Sequence, residues 1–249
     1  MPETVDWRLV FYVGGIVPLF LAVVIWLGMK ETRVAVTGER AAKANAIHAL
    51  FGEGRTPSTL LLWITFFPTL LLLYMLLNWL PSLMAGKDLA KPLEFYVAGL
   101  KIGMNASFTF NLASVFGALL LGQIIDRMGF RWPAIICYAG LLGALVGLAR
   151  ATTIEPALMF AGLAGFFILG AQYALYGVAA SFYPSWGRGA GSGAVTAVGR
   201  VGAIVGPVLA GMLLARGFNP EQTIMALAPA AVVAGIAVFL LSFRKQAVD

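Results

Sequence analysis

The sequence predicts an all-α integral membrane protein with seven transmembrane helices. Of its 249 residues, 60% are hydrophobic and only 11% are charged, and the mean hydropathy is +0.89. A soluble domain carries about 25% charged residues, so this composition excludes an ordinary soluble domain. Each span is expected to be helical, because an open strand would leave backbone groups without hydrogen-bond partners in lipid.

Seven apolar stretches are long enough to cross a membrane, since about 20 helical residues at about 1.5 Å each span the hydrocarbon. The predicted spans are residues 9–29, 59–84, 97–125, 133–149, 157–183, 189–215 and 224–243. The first is too long for a cleaved signal peptide, and it follows Glu3 and Asp6 with Arg8 as its one basic flank.

The basic residues predict the orientation of the chain. If the tail after Phe243 is cytoplasmic, ten Lys and Arg residues outside the spans face the cytoplasm and five face outward. This bias predicts a multi-pass protein of the inner (plasma) membrane, with the amino terminus outside and the carboxy terminus cytoplasmic. The net charge of +6 then reflects orientation and not nucleic-acid binding. The single cysteine, Cys137, lies inside a span, so neither a disulfide framework nor a metal cluster is predicted, and no cofactor is expected.

One long polar segment, residues 30–57, divides the spans one to six. We therefore expect residues 1–29 to be the last helix of an amino-terminal lobe, residues 30–57 a partly helical cytoplasmic linker, and residues 58–249 a complete six-helix lobe. His48, the only histidine, lies in this linker and is expected to be solvated.

The loop after the third predicted span reads GQIIDRMGFRW and fits the pattern G-x3-D-R-x-G-x-R, through Gly122, Asp126, Arg127, Gly129 and Arg131. Gly122 would permit close helix packing, Asp126 would cap or pair with a neighbouring helix amino terminus, and Gly129 would make a tight turn. This pattern resembles the loop signature of the major facilitator superfamily. The resemblance implies a role in gating and in contact between the lobes.

Other stretches extend the resemblance, among them WITFFPTLLLLYMLLNWLPSLM, FNLASVFGALLLG, GAQYALYGVAASFYPSWGRGAGSG and VGRVGAIVGP. Together they resemble the carboxy-terminal half of an aromatic acid:proton symporter, the family that includes 4-hydroxybenzoate transporters. The similarity covers the chain from WRLVFYVGGIVP, which resembles the family's sixth helix, to helices seven to twelve from Thr59 onward. The family's Thr-x-x-Arg-Ala is replaced here from Ser185 to Gly189, and a glycine pair by Leu112-Ala113. The particular aromatic acid is therefore not predicted.

Arg200 is the strongest candidate for substrate binding, because it lies about halfway along a predicted span. A guanidinium near the bilayer centre costs about 2.5 to 3.5 kcal/mol and needs a partner or water. No predicted span contains Asp or Glu, so the partner is backbone, an acid of another lobe, or an anionic substrate. Thr196 lies one turn before it, and the same stretch has small residues that would allow close approach to another helix, namely Gly199, Gly202, Ala203 and Gly206.

Four further residues are candidates for the same cavity: Lys101, Asn111, Gln172 and Tyr176. Lys101 could instead extend to the membrane surface, and Asn111 could serve an interhelical hydrogen bond. Gln172 and Tyr176 are four residues apart and would present an amide and a phenol together, or else join helices. Trp79 is expected as a membrane-interface anchor, and Phe66, Phe67 and Tyr74 as core aromatics.

The resemblance implies symport of an aromatic carboxylate such as a hydroxybenzoate with protons, by alternating access between two lobes. With one lobe and one extra helix, the chain is expected to be a partial transporter, inactive alone, from a truncated reading frame or a split transporter. Open alternatives are a major facilitator transporter of another small organic anion or metabolite, and a non-transporting assembly partner. The sequence offers no intramembrane catalytic set, which argues against an enzyme, and the loop pattern argues against a seven-helix receptor.

Overall fold

A computed structural model describes residues 8–28, 45–87, 89 and 102–244 of the chain. The chain divides into two compact units, Met1–Ala41 and Ala42–Asp249. The described part of the first unit is one helix, α1 (Arg8–Gly28), with Pro18 inside it.

The described elements of the second unit are helices and three short 3-10 turns, in agreement with the all-α prediction. The helices are α2 (Ala46–Phe51), α3 (Thr56–Ala85), α4 (Ile102–Met128), α5 (Arg131–Arg150), α6 (Ile154–Ala179), α7 (Arg188–Ala215), α8 (Pro220–Met225) and α9 (Ala228–Leu241). The 3-10 turns are Gly52–Gly54, Ala180–Phe182 and Ser185–Gly187.

Six stretches of the described residues are long and apolar enough to cross a membrane. They are Thr56–Ala85, Ile102–Met128, Arg131–Arg150, Ile154–Phe182, Ser185–Ala215 and Pro220–Leu241. They match the last six predicted spans closely, although the predicted start of the third span, at residues 97–101, lies outside the described residues. The apolar part of α1, Gly14–Gly28, is shorter than each of these six stretches. Membrane crossing by α1 therefore stays a prediction.

The last span is interrupted, which the hydropathy of the sequence did not predict. It begins with α8, where the Asn219 side chain accepts a hydrogen bond from the Gln222 amide and the Gln222 side chain accepts one from the Asn219 amide. These reciprocal bonds satisfy amides that have no partner within the helix. After α8 the chain turns at Ala226 and Leu227, and α9 begins with Pro229 in its first turn, where the missing N–H leaves no gap in the helix.

Helix α3 forms the centre of the second unit and packs against α4, α6, α7 and α9. Of its most apolar window, 61% is buried, compared with 28% for the span containing α7 and 22% for α4. Helix α4 packs closely on α6, where Gly117 lies against the backbone of Phe166 and Gly165 against that of Phe110. Helices α4 and α7 therefore leave most of their surface open to whatever surrounds this unit.

Candidate functional site

Arg200 projects from α7 as an exposed side chain, and its Nη1 donates a hydrogen bond to the phenolic oxygen of Tyr74 on α3 at 2.8 Å. Tyr74 is half-buried, and its carbonyl accepts a hydrogen bond from Nδ2 of Asn78, an exposed residue one turn later, at 2.7 Å. Arg200, Tyr74 and Asn78 together form the arginine face. The sequence did not indicate Tyr74 as a partner of Arg200, and a backbone, other-lobe or substrate partner stays a prediction. Tyr74 packs against the hydrophobic core while remaining partly exposed.

A phenol is neutral, so the bond to Tyr74 leaves the guanidinium charge uncompensated. Among the described residues, no carboxylate lies within ion-pair distance of Arg200. The acidic residues of the six described spans lie near helix ends, with Asp126 late in α4, Glu155 early in α6 and Glu221 early in α8. The arginine face thus combines a positive charge with several unused hydrogen-bond donors.

The contact between α3 and α7 fixes the position of the arginine face. Gly202 lies against the carbonyl group of Phe67 and Gly206 against that of Leu71, so the two helix backbones touch. The predicted close approach of this small-residue stretch is therefore confirmed. The indole Nε1 of Trp79 also crosses the contact and donates to the carbonyl of Pro207 at 3.0 Å, a bond that the sequence did not indicate.

The two sides of the α3–α7 contact differ in polarity. At about 100° per residue, Val198 and Arg200 project to opposite sides of Gly199, which faces α3. Val198 borders a groove of about 510 Å³. The groove is lined entirely by apolar residues, namely Leu60, Trp63, Ile64, Phe67, Pro68, Leu71, Val198, Pro229, Ala230 and Val233. One side of the contact therefore suits lipid, whereas the side with Arg200 requires water, protein or a ligand.

The other candidates occupy separate helices. Tyr176 on α6 is half-buried, and its ring packs edge-on against Phe66 with the ring centroids 5.3 Å apart. Phe66 of α3 also lies beside Gly199 of α7, the residue before Arg200. The Phe66 side chain therefore contacts both Tyr176 of α6 and Gly199 of α7. Gln172 is half-buried and has no hydrogen bond to another described residue.

Asn111 is exposed on α4, and its Nδ2 donates to the carbonyl of Ser107 on the same helix at 2.8 Å. The alternative of an interhelical hydrogen bond is thus not found in the described part of the chain, which leaves the side-chain oxygen Oδ1 of Asn111 available. Lys101 lies outside the described residues.

The predicted turn at Gly129 is confirmed, whereas the predicted contacts of Asp126 and Gly122 find no partner among the described residues. Gly129 has φ +79°, a left-handed conformation that favours glycine and turns the chain between α4 and α5. Asp126 is exposed and does not cap α5, whose first residues are preceded by Phe130 without a side-chain cap. A Cβ on Gly122 would meet no heavy atom within 4 Å, so no described helix packs closely there.

The two basic residues of this loop, Arg127 and Arg131, have different surroundings. Arg131 lies over the ring of Phe243, with its guanidinium carbon 4.2 Å from the ring centroid, and so joins the start of α5 to the end of α9. Such cation–π contacts contribute about 0.5 to 1 kcal/mol at exposed sites. Arg127 is exposed in the last turn of α4, where its charge complements the helix dipole.

The end of the predicted linker is packed around His48, whose side chain nevertheless keeps 40% exposure, so the expectation that His48 is solvated is confirmed in part. Its ring stacks on the indole of Trp186, with centroids 6.0 Å apart and planes at 13°. The Arg55 guanidinium lies 5.9 Å from the same indole and donates to the carbonyls of Ala49 and His48 at 3.0 and 3.2 Å. Helix α2 is thereby held against the turn that precedes α7.

A buried lysine joins helix ends at the opposite side of the unit. The side chain of Lys87 has 0% exposure, and its Nζ donates to the carbonyls of Leu148 and Ala149 at the end of α5. Glu221, in the first turn of α8, lies 3.6 Å from the same nitrogen. Burial lowers the pKa of Lys87, and the Glu221 charge opposes that shift. The ends of α3, α5 and the beginning of α8 therefore meet at one ammonium group.

Comparison with known proteins shows that the chain is similar to transporters. Residues 2–175 and 92–249 match the model of the Major Facilitator Superfamily. A 3-(3-hydroxy-phenyl)propionate transporter of Escherichia coli is 37% identical over 243 residues, which cover 98% of this chain and 58% of that protein. The 4-hydroxybenzoate transporter PcaK of Pseudomonas aeruginosa is 29% identical over 276 residues, covering 97% and 59% of the two chains.

A benzoate transport protein of Acinetobacter baylyi is also similar, with 32% identity over 204 residues that cover 80% of this chain and 41% of that protein. The relatives are transporters and not enzymes, as the sequence predicted. The chain spans less than two thirds of the length of these relatives.

Among solved structures, a bacterial homologue of the human lysosomal transporter Spinster, in an inward-facing and unoccupied conformation, has a TM-score of 0.65. At 17% identity, with 96% of this chain and 61% of that chain covered, this likeness supports the fold alone. The resemblance to aromatic acid transporters that the sequence motifs indicated is confirmed by the relatives. By the match of the family model over the chain, supported by this fold, the chain belongs to the Major Facilitator Superfamily.

Proposed function

We propose that the chain forms the carboxy-terminal part of a proton-coupled transporter for an aromatic carboxylate, and that Arg200 binds the carboxylate. The observation that carries this proposal is an exposed guanidinium within the span Ser185–Ala215 whose one described side-chain partner is a neutral phenol. An uncompensated charge at this depth is costly, and an anionic ligand in a wet cavity compensates it. The planar guanidinium matches a carboxylate with two parallel hydrogen bonds.

Aromatic and amide side chains support the proposal that the substrate is aromatic. Tyr176 and Gln172 lie four residues apart on α6, and the Tyr176 ring already packs edge-on against Phe66. A ligand ring would extend such an aromatic cluster. Asn111 offers an amide from α4, and Lys101 is proposed as a further charge. The named substrates of the relatives are aromatic acids, which agrees with this set.

The open surfaces of α4 and α7 support a second lobe as the partner of this unit. Alternating access places the substrate between two lobes, and the Arg200 side of the α3–α7 contact is open in this chain. The exposed Asp126 and Arg127, with Gly122, Gly129 and Arg131, are proposed to contact that lobe during gating. In the described spans, every acidic residue lies near a helix end. We therefore propose that the proton-binding carboxylate belongs to the other lobe.

Uptake of radiolabelled acids into membrane vesicles with an imposed proton gradient tests this function. The chain is produced alone and together with the amino-terminal lobe of the Escherichia coli relative. The panel contains benzoate, 4-hydroxybenzoate, 3-(3-hydroxyphenyl)propionate and a non-aromatic acid. We expect saturable, gradient-dependent uptake of aromatic acids by the pair, and none by the chain alone above empty vesicles, because Arg200 then lacks half of its cavity.

The variant Arg200→Lys keeps the charge and loses the planar pair of donors, so uptake by the paired protein should fall at least about tenfold. Arg216→Lys, at the exposed end of α7, is the matched control and should behave as the wild type. If the paired protein takes up no member of the panel, the transport proposal is wrong and an assembly role gains support. Preference for the non-aromatic acid would instead favour a transporter of another organic anion.

A further inference from the structure

We infer that Tyr74 is a second carboxylate-binding residue, whose phenolic O–H donates to the same carboxylate that Arg200 binds. The inference rests on the proposed function and adds a residue that neither the sequence motifs nor the named relatives indicate. It starts from the bond between Arg200 Nη1 and the Tyr74 oxygen, 2.8 Å long and joining residues 126 positions apart.

The direction of that bond determines what Tyr74 has left to offer. A guanidinium can only donate, so the phenolic oxygen is the acceptor and its own proton must point elsewhere. The Tyr74 hydroxyl has no second hydrogen bond to a described residue. The phenol therefore keeps one unused donor directly beside the guanidinium, which has five donors and uses one of them on Tyr74.

The chemistry of this pair selects its ligand. Together Arg200 and Tyr74 present donors and one positive charge, and their shared bond occupies the phenolic oxygen as an acceptor. A cation or a donor-rich neutral group finds no complement in such an arrangement. A carboxylate has two oxygens that accept several hydrogen bonds, so it takes the guanidinium and the phenol at once.

The positions of both residues are fixed before a ligand arrives. A Cβ placed on Gly199, next to Arg200, would lie 3.1 Å from a methyl carbon of Leu70. Leu70 is one turn before Tyr74, so the helices are in close contact beside both residues. Gly202 and Gly206 hold the backbones of α7 and α3 together, and Trp79 bonds across to Pro207. A donor pair held in this way loses little freedom when it binds, which favours affinity.

The test is Tyr74→Phe in the paired protein described above, with uptake of radiolabelled 3-(3-hydroxyphenyl)propionate measured over a range of concentrations. Loss of one hydrogen bond to a charged group should raise KM about tenfold, which corresponds to about 1.4 kcal/mol, with the maximal rate unchanged. Tyr173→Phe is the matched control, because this exposed phenol on α6 has no hydrogen bond to a described residue, and its KM should equal that of the wild type.

Competition by the carboxamide of the same compound separates binding from a general structural effect. Hydrogen bonds to a charged acceptor are about twice as strong as neutral ones, so Tyr74→Phe should weaken the carboxylate more than the carboxamide. A wild-type KM in Tyr74→Phe, or equal losses for the two ligands, overturns the inference while the proposed function stands. Absence of uptake by the wild-type pair overturns both.

Discussion

The contact between α3 and α7 predicts a large and specific effect of one methyl group, in the variant Gly202→Ala. A Cβ at this position would collide with the carbonyl oxygen of Phe67 and would lie 3.0 Å from the carbonyl carbon and 3.2 Å from the Leu71 nitrogen. Ordinary contacts begin at 3.4 Å, and the atoms it meets are backbone, which cannot move aside as the tip of a side chain can. The two helices would have to separate locally by about 1 Å.

The expected cost follows from this collision. Overpacking a close contact costs about 1 to 3 kcal/mol, and alanine returns up to about 1 kcal/mol through its higher helix propensity. We expect a net loss of about 1 to 2 kcal/mol in the free energy of unfolding of the second unit. The same separation would stretch the bond between Arg200 and Tyr74, so transport by the paired protein should fall as well.

Gly193→Ala provides the matched control within the same helix. A Cβ at Gly193 would meet no heavy atom within 4 Å, so this variant gains helix propensity without a collision. The free energy of unfolding is measured on the purified chain in mixed micelles, by titration with dodecyl sulfate followed by circular dichroism. We expect Gly193→Ala to be stabilised by about 0.5 to 1 kcal/mol and Gly202→Ala to be destabilised. Equal stabilisation of both variants would refute the close backbone contact.

Four further substitutions have expected outcomes. Lys87→Met removes two hydrogen bonds from the end of α5 and should lower the free energy of unfolding by about 2 kcal/mol, whereas Glu221→Gln, beside it, should cost less than about 1 kcal/mol. Folding lowers the pKa of Lys87, so the unfolded chain binds that proton more tightly and the free energy of unfolding rises with pH between the two pKa values. This increment in stability is complete above the unfolded pKa near 10.5 and is lost as pH falls through the lowered pKa. Unfolding titrations at several pH values should show the increment in the wild type and not in Lys87→Met. Trp186→Leu removes the surface on which His48 stacks, and limited proteolysis should then cleave near α2 faster than in the wild type, an effect whose absence would contradict a packed linker end. Asp126→Asn in the paired protein should slow net uptake more than it weakens substrate binding, and a loss of affinity with normal exchange of bound substrate would contradict the gating role.

The sequence by itself determined the membrane-spanning segments of the second unit, though not the break between α8 and α9. Hydropathy over about 20 residues located six spans, because crossing a membrane requires an apolar run of that length whatever lies beside it. The small residues of α7 indicated a face for close packing, and the structure places Gly202 and Gly206 against α3. Gly129 was predicted as a turn because its neighbours form a local pattern, and its positive φ confirms the turn. These features depend on residues close together in the chain.

Only the tertiary structure decided which side chains meet. Arg200 and Tyr74 are 126 positions apart, Trp79 and Pro207 are 128 apart, and Lys87 lies 61 positions from the carbonyl of Leu148. The spacing of Tyr74 and Asn78, one turn apart in a leucine-rich stretch, was an available sign of a polar face on α3. Its partner was not predictable, because helical period fixes the side of a helix on which a residue lies and not the helix that faces it. The packing of α7 on α3 made that choice, and with it the arginine face.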